Sequence, residues 1–200
     1  MKQIFFKPFV LVCLLTVATL NVWASTTQEA EALIKDTTNK VLDALKADSS
    51  RIHSLVNQVV LPNFDFKRMS KLVLGIHWRR ITDNQQDRFA DEFRGLLVRT
   101  YSSALVEAAG KVRTIEYSSK DKRKNPPQAT VSTKVYQLGK STPIKADYEM
   151  YYHPKKGKWL VYNITVGGVS LVTNYRNEFS DDMKKIGIER LINKIKNQNK

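Results

Sequence analysis

The spacing of apolar residues changes at Gly110, and that change limits the fold more than any other feature. Up to Gly110 they recur every three or four residues, as on one face of a helix; beyond it they alternate, as on one face of a strand. Over residues 26–47, Ala30, Leu33, Ile34, Thr37, Val41, Leu42 and Leu45 share a helical face. A short second helix runs from Ile52 to Val60, and Pro62 ends it by disfavouring a helical Leu61. Phe64-Asp65-Phe66 leads into a third helix, stopped by Gly75. Thr82-x-x-Gln85 is a capping box that opens the longest helix, with Phe89, Phe93, Leu96, Leu97, Tyr101, Ala104, Leu105 and Ala108 on one face.

Residues 111–118, 128–137, 144–153 and 158–166 then read as four strands. In the third, Ile144, Ala146, Tyr148, Met150 and Tyr152 face one way, and Lys145, Asp147, Glu149, Tyr151 and His153 the other. One greasy and one wet face suit an antiparallel sheet. Pro154-Lys155-Lys156-Gly157 is a hairpin turn. Gly167-Gly168 ends the fourth strand, Ser170 starts a helix, and Val172, Tyr175 and Phe179 restore helical spacing. That helix continues to Lys196 with a break at Gly187. Helices, then strands, then helix is the α+β pattern: an antiparallel sheet of about four strands covered by N-terminal and C-terminal helices. The long helix 82–109 and the C-terminal helix are the expected lids on its apolar face.

The first 24 residues read as a cleaved signal peptide. Lys2 and Lys7 form a basic start, and Phe9–Leu20 is an apolar run too short to span a bilayer. Val22-Trp23-Ala24 fits a cleavage site, so export and cleavage after Ala24 are expected. An uncleaved anchor is the alternative. Residues 25–200 then make one domain, without Cys13, the chain's single cysteine. That leaves no disulfide and no thiolate nucleophile or ligand. The leader takes two of the 33 basic residues and none of the 19 acidic ones, so the remainder carries a net +12. Such a charge suits acidic partners, anionic headgroups or nucleic acid, or reflects solubility alone.

Catalysis is poorly supported. His53, His77 and His153 fall on three different elements, none at metal-ligand spacing to another ligand, so no metal site is expected. Gly168-Val169-Ser170 is not a nucleophile elbow, and no glycine-rich phosphate loop is present. The Lys and Arg residues are scattered, clustering only in the loops at Lys120–Lys124 and Lys155–Lys158, without a nucleic-acid-binding signature. No enzyme and no nucleic-acid binder is expected. A carrier of greasy ligands fits better. Moving a diacyl lipid through water exposes roughly thirty CH₂ groups at about 0.8 kcal/mol each, which requires a long apolar shelter. The aromatic and aliphatic stripes could wall one, with Met150 and Met183 as adaptable members. The same stripes would equally build an ordinary packed core.

Four segments in order carry a resemblance. They are Leu61-Pro62 with Phe64-Asp65-Phe66; Val73-Leu74-Gly75 with Trp78; Thr82, Gln85, Phe89, Phe93, Leu97 and Tyr101; and Trp159-x-x-Tyr162 with Gly168-Val169-Ser170 and Arg176-x-Glu178-Phe179. Together they resemble the MlaC family, also called the toluene-tolerance auxiliary family, over nearly the whole chain after the leader. The resemblance implies a periplasmic phospholipid carrier, a monomer without cofactor, that helps maintain outer-membrane lipid asymmetry. It would shuttle between an outer-membrane lipoprotein–porin complex and an inner-membrane ABC transporter with a periplasmic lipid-binding component. Another hydrophobic ligand, such as a hopanoid or quinone, and a basic interaction module without ligand are the alternatives. The expected apolar cavity is walled by Val73, Leu74, Trp78, Phe93, Leu97, Tyr101, Leu105, Tyr148, Met150, Tyr152, Val166, Val169 and Val172. Lys122, Arg123, Lys124, Lys155, Lys156 and Lys158 are the expected docking cations. One position departs from the family pattern: an acidic residue usually follows the tyrosine, and here Asn163 stands there.

Overall fold

The computed structural model describes residues 27–48, 50 and 52–198, apart from the side chain of His53. The leader lies outside the described residues. The first helix, α1, spans Thr27–Ala47. The expected second helix is split into α2, Ile52–Leu55, and a π-helical turn, Val56–Val60, before a 3₁₀ turn at Leu61–Asn63. Helix α3 covers Phe66–Leu74, with the Asp65 side chain accepting from the Arg68 amide at its start. Gly75 ends it at a φ of 56°, which a side chain would strain. After a 3₁₀ segment, Gly75–Arg80, comes α4, Asp83–Ala109. Both halves of its capping box form, between the Thr82 and Gln85 side chains and each other's backbone N–H.

The strands are β1 Val112–Asp121, β2 Gln128–Gln137, β3 Ile144–His153, β4 Lys158–Val166 and β5 Val169–Ser170. They form one antiparallel sheet in sequence order. The sheet therefore has five strands rather than four. The fifth is two residues long, too short for any period, and folds back over Gly167-Gly168, whose φ values of 57° and 87° make the reversal. Helices α5, Leu171–Lys185, and α6, Gly187–Gln198, complete the chain.

The expected lids need correcting. Helix α1, and neither α4 nor the C-terminal helices, lies across the inner face of the sheet, chiefly over β1 and β2 and reaching β4. There Ala30 and Ile34 bury against Ala129, Val131, Met150, Trp159 and Val161. The first half of α4 instead packs with α3, α5 and α6 in a separate helical core. Phe93 is fully buried at its centre, edge-on to Tyr175 at 5.2 Å and to Phe179 at 6.2 Å between ring centroids. A third cluster joins the end of α1 to α2 and the second half of α4 through Val41, Leu45, Val56, Val98 and Leu105. On the sheet's outer face, α3 covers Tyr151, Leu160 and Tyr162 with Leu72, and the Arg68 guanidinium lies 4.0 Å from the Tyr151 ring centre. The free edge of β4 is protected twice, by β5 at one end and by the Phe64–Val161 bridge at the other.

Candidate functional site

The expected cavity residues do not form one enclosed wall. Val73, Leu74, Trp78, Phe93, Leu97 and Val172 belong to the packed helical core. Met150, with half-buried Tyr148 and Tyr152 beside it, belongs to the core between α1 and the sheet. Leu105 joins the third cluster, half-buried. Tyr101, Val166 and Val169 are 39%, 43% and 58% exposed. The two concavities along β1 are not that cavity either. One, of about 260 Å³, lies between α1 and β1 and carries Lys35, Lys46 and Arg113. The other is an open groove at the β1–β2 turn, lined by Lys120, Lys122, Arg123 and Lys124.

Two apolar surfaces nevertheless emerge from cover toward the same end of the molecule. On α4, a single stripe is buried at Phe89, Phe93 and Leu97, then is exposed at Tyr101 and half-buried at Leu105, at the margin of the third cluster. On the inner sheet face, Met150 and Val161 are fully buried, Tyr148 and Ile164 half-buried, and Val166 exposed. The Gln137 side-chain amide at the end of β2 donates to the Ala108 carbonyl (3.4 Å), which ties the end of α4 to this end of the sheet. Tyr101 is hydrogen-bonded to Tyr175, and burial together with that bond pushes the Tyr175 phenol up to about 12. The sequence could not show where each stripe loses its cover, because periodicity reports a face and not its neighbour. Ala146 and Ile164 also lie on this inner sheet face; Ala146 is legible in the strand alternation, Ile164 is not.

On the outer face of β3 and β4, polar residues form a connected chain. A register shift between Glu149 and Met150 sets Asn163 opposite Glu149. The Asn163 amide donates to Glu149 Oε2 (2.8 Å), and its Oδ1 accepts from the Val172 amide at the start of α5 (3.2 Å). Ser170, which caps α5, bonds to the same side chain. Glu149 Oε1 in turn accepts from Lys122 Nζ at 2.5 Å. Burial alone would raise the Glu149 carboxyl, but the Lys122 ammonium and the Asn163 amide outweigh it and hold it below its usual range. The departure at Asn163 thus has a physical reason: its neighbour is an acid, not a cation. Asn163→Asp should place a second carboxylate against Glu149 with one lysine between them. We expect a loss of about 1–3 kcal/mol near neutral pH. The repulsion raises the folded-state carboxyl pKa, so the loss should shrink as pH falls into the carboxylate range. Urea unfolding at both pH values measures this; equal stability to the parent near neutrality would contradict it.

The expected docking cations divide as well. Lys122 is committed to Glu149, and Lys158 Nζ donates to the Pro62 carbonyl (2.9 Å). Arg123, Lys124, Lys155 and Lys156 are exposed. Their two turns lie at one end of the sheet, since Gln128 pairs with Tyr151 and the Tyr152 amide donates to the Pro127 carbonyl. That end is opposite the apolar opening. Among the described residues, no group of His, Asp and Glu could hold a metal ion, and no helix is long and apolar enough to cross a membrane.

A twisted antiparallel sheet, a helix across half of its apolar face and a second apolar stripe left open beside it define an α+β protein with an uncovered internal seam. The chain belongs to the MlaC protein family, whose match spans residues 35–197. It is 27% identical over 169 residues to toluene tolerance protein ttg2D of Pseudomonas putida, covering 80% of this chain and 75% of that one. It is 24% identical over 151 residues to the intermembrane phospholipid transport system binding protein MlaC of Haemophilus influenzae, covering 76% and 70%. A solved structure of the phospholipid-binding protein from Ralstonia solanacearum, in complex with a phospholipid, matches with a TM-score of 0.72 and 30% identity. That match covers 86% of this chain and 97% of the other.

Proposed function

We propose that the protein is a periplasmic phospholipid carrier whose acyl chains lie between the second half of α4 and the inner face of β3 and β4. The observation that carries the reading is the paired emergence of Tyr101 and Leu105 on one side, and Tyr148, Ile164 and Val166 on the other. Two apolar surfaces that lose their cover toward the same end of the molecule suit a ligand that completes the core. The likeness to a phospholipid-bound structure supports the ligand class. The other walls expected from the sequence, chiefly Phe93 and Leu97, serve as the rigid support behind the site rather than as its lining. Roughly thirty CH₂ groups at about 0.8 kcal/mol each would cost more than 20 kcal/mol if exposed to water, so the chains must stay sheltered throughout carriage.

Residues 1–24 direct export in this reading and are removed after Ala24. The carrier then moves lipid between an outer-membrane lipoprotein–porin complex and an inner-membrane ABC transporter with a periplasmic lipid-binding component, which maintains outer-membrane asymmetry. Arg123, Lys124, Lys155 and Lys156, grouped at one end of the sheet, are the contacts offered to acidic partners. Lys122 and Lys158 are withdrawn from that role by their internal bonds. Buried acyl chains are indifferent to salt, whereas exposed charge contacts weaken as the Debye length falls to about 3 Å near 1 M. Denaturing extraction of protein purified without detergent, followed by lipid mass spectrometry, tests the ligand. A stoichiometric phospholipid is expected; a hopanoid, a quinone or no lipid at all would overturn the assignment.

A further inference from the structure

Among the described residues, four of the five exposed large apolar side chains, Leu138, Val166, Val169 and Tyr101, occur toward the open end of the seam. Leu138 follows the last residue of β2, and its amide donates to the Lys111 carbonyl (2.8 Å). Val166 and Val169 face each other across the β4–β5 turn, whose Gly167 amide donates to the Lys145 carbonyl (2.9 Å). The β2–β3 and β4–β5 turns therefore project from the same end of the sheet, because Val135 pairs with Ile144 and Ala146 with Val166. Three glycines in left-handed conformations make these tips: Gly139, Gly167 and Gly168, each with open space where a Cβ would stand. Residues 164–177, from Ile164 through the first turns of α5, contain a single charged side chain, Arg176. Residues 138–145 carry Lys140 and Lys145 and no acid. Of the acids on the flanking elements, Glu107 pairs with Lys111 at 2.7 Å and Asp147 accepts from the Ser132 hydroxyl at 2.6 Å, while Glu178 follows residues 164–177 on α5.

We infer that this rim is a membrane-contacting surface that seats the open seam on an anionic bilayer. Single apolar side chains on narrow tips, flanked by lysines, match an interface where hydrocarbon is reached past negative headgroups. Protein partners are better served by the opposite, basic end of the sheet, so the two ends divide the work. Seating the opening on the bilayer lets acyl chains pass without crossing water. The inference rests on the phospholipid-carrier reading and adds to it the surface through which lipid enters and leaves.

Flotation of the purified protein with phosphatidylglycerol-containing vesicles, and separately with pure phosphatidylcholine vesicles, tests it. Binding to the anionic vesicles is expected to exceed binding to the neutral ones and to weaken at high salt. Leu138→Ser with Val169→Ser should lower it about tenfold, and Lys140→Glu with Lys145→Glu by a similar factor. Ile76→Ser removes the fifth exposed apolar side chain, on the α3–α4 connection, and should leave binding unchanged. Absence of vesicle binding by the parent, rim variants that bind as the parent does, or loss on Ile76→Ser would each overturn the rim. Co-purified lipid is measured in the same preparations. Leu138→Ser alone should keep its lipid, so failure of the rim and failure of the carrier reading give different results.

Discussion

Leu105→Trp and Val166→Trp should each strip phospholipid from the purified protein while barely moving its unfolding midpoint. Val166 is exposed, and Leu105 is half-buried at the margin of the third cluster, so an indole at either position can extend into the open seam. Excluding about two CH₂ groups of an acyl chain at about 0.8 kcal/mol each lowers affinity about tenfold. Lipid content by mass spectrometry, read beside a thermal melt of delipidated protein, separates occupancy from folding. Variants that melt early and still carry lipid would show that the seam is ordinary core and that the chains lie elsewhere.

The opposite outcome is expected further back along the same helix and on the neighbouring strand. Phe93→Ala removes a fully buried ring held edge-on by Tyr175 and Phe179. Large-to-small changes at such sites cost about 3–5 kcal/mol, which for a domain of this size lowers the melting temperature by roughly 10 °C. Met150→Trp should cost about 1–3 kcal/mol, since Met150 is fully buried between Ala129, Val161 and α1 with no room to grow. Denaturant unfolding of delipidated protein measures both. A parent-like midpoint for either variant would mean that the helical core, or the α1–sheet core, is looser than the packing described, and would return those residues to the cavity wall.

The contrast between Leu105 and Phe93 also marks how far the sequence could be read. Both lie on one α4 stripe, and periodicity identifies that stripe without saying that α3, α5 and α6 cover only its first half. Local chemistry was legible wherever a few neighbouring residues decide it. The Thr82–Gln85 capping box, the stop at Gly75, the Ser170 cap and the break at Gly187 all lie within one or two residues of where sequence puts them. The long-range pairings were not. The α1 stripe of Ala30 and Ile34 gives no sign that it covers β1 and β2 in place of the longer α4. The register shift at Glu149 decides which residue Asn163 meets, and alternation within one strand cannot reveal a bulge in its neighbour. For the same reason the sequence presents Lys122 and Lys158 as docking cations, whereas the fold gives them internal acceptors, Glu149 and the Pro62 carbonyl.

The central claim is positional: acyl chains between the second half of α4 and the inner face of β3–β4. A phospholipid carrying a photoactivatable group within one acyl chain, loaded onto the purified protein and crosslinked, tests it by peptide mapping. Labels are expected on the α4 residues Tyr101–Ala108 and on Tyr148, Ile164 or Val166. Labels confined to the α1–β1 cleft around Lys35 and Arg113, or to the basic turn at Lys120–Lys124, would contradict the account.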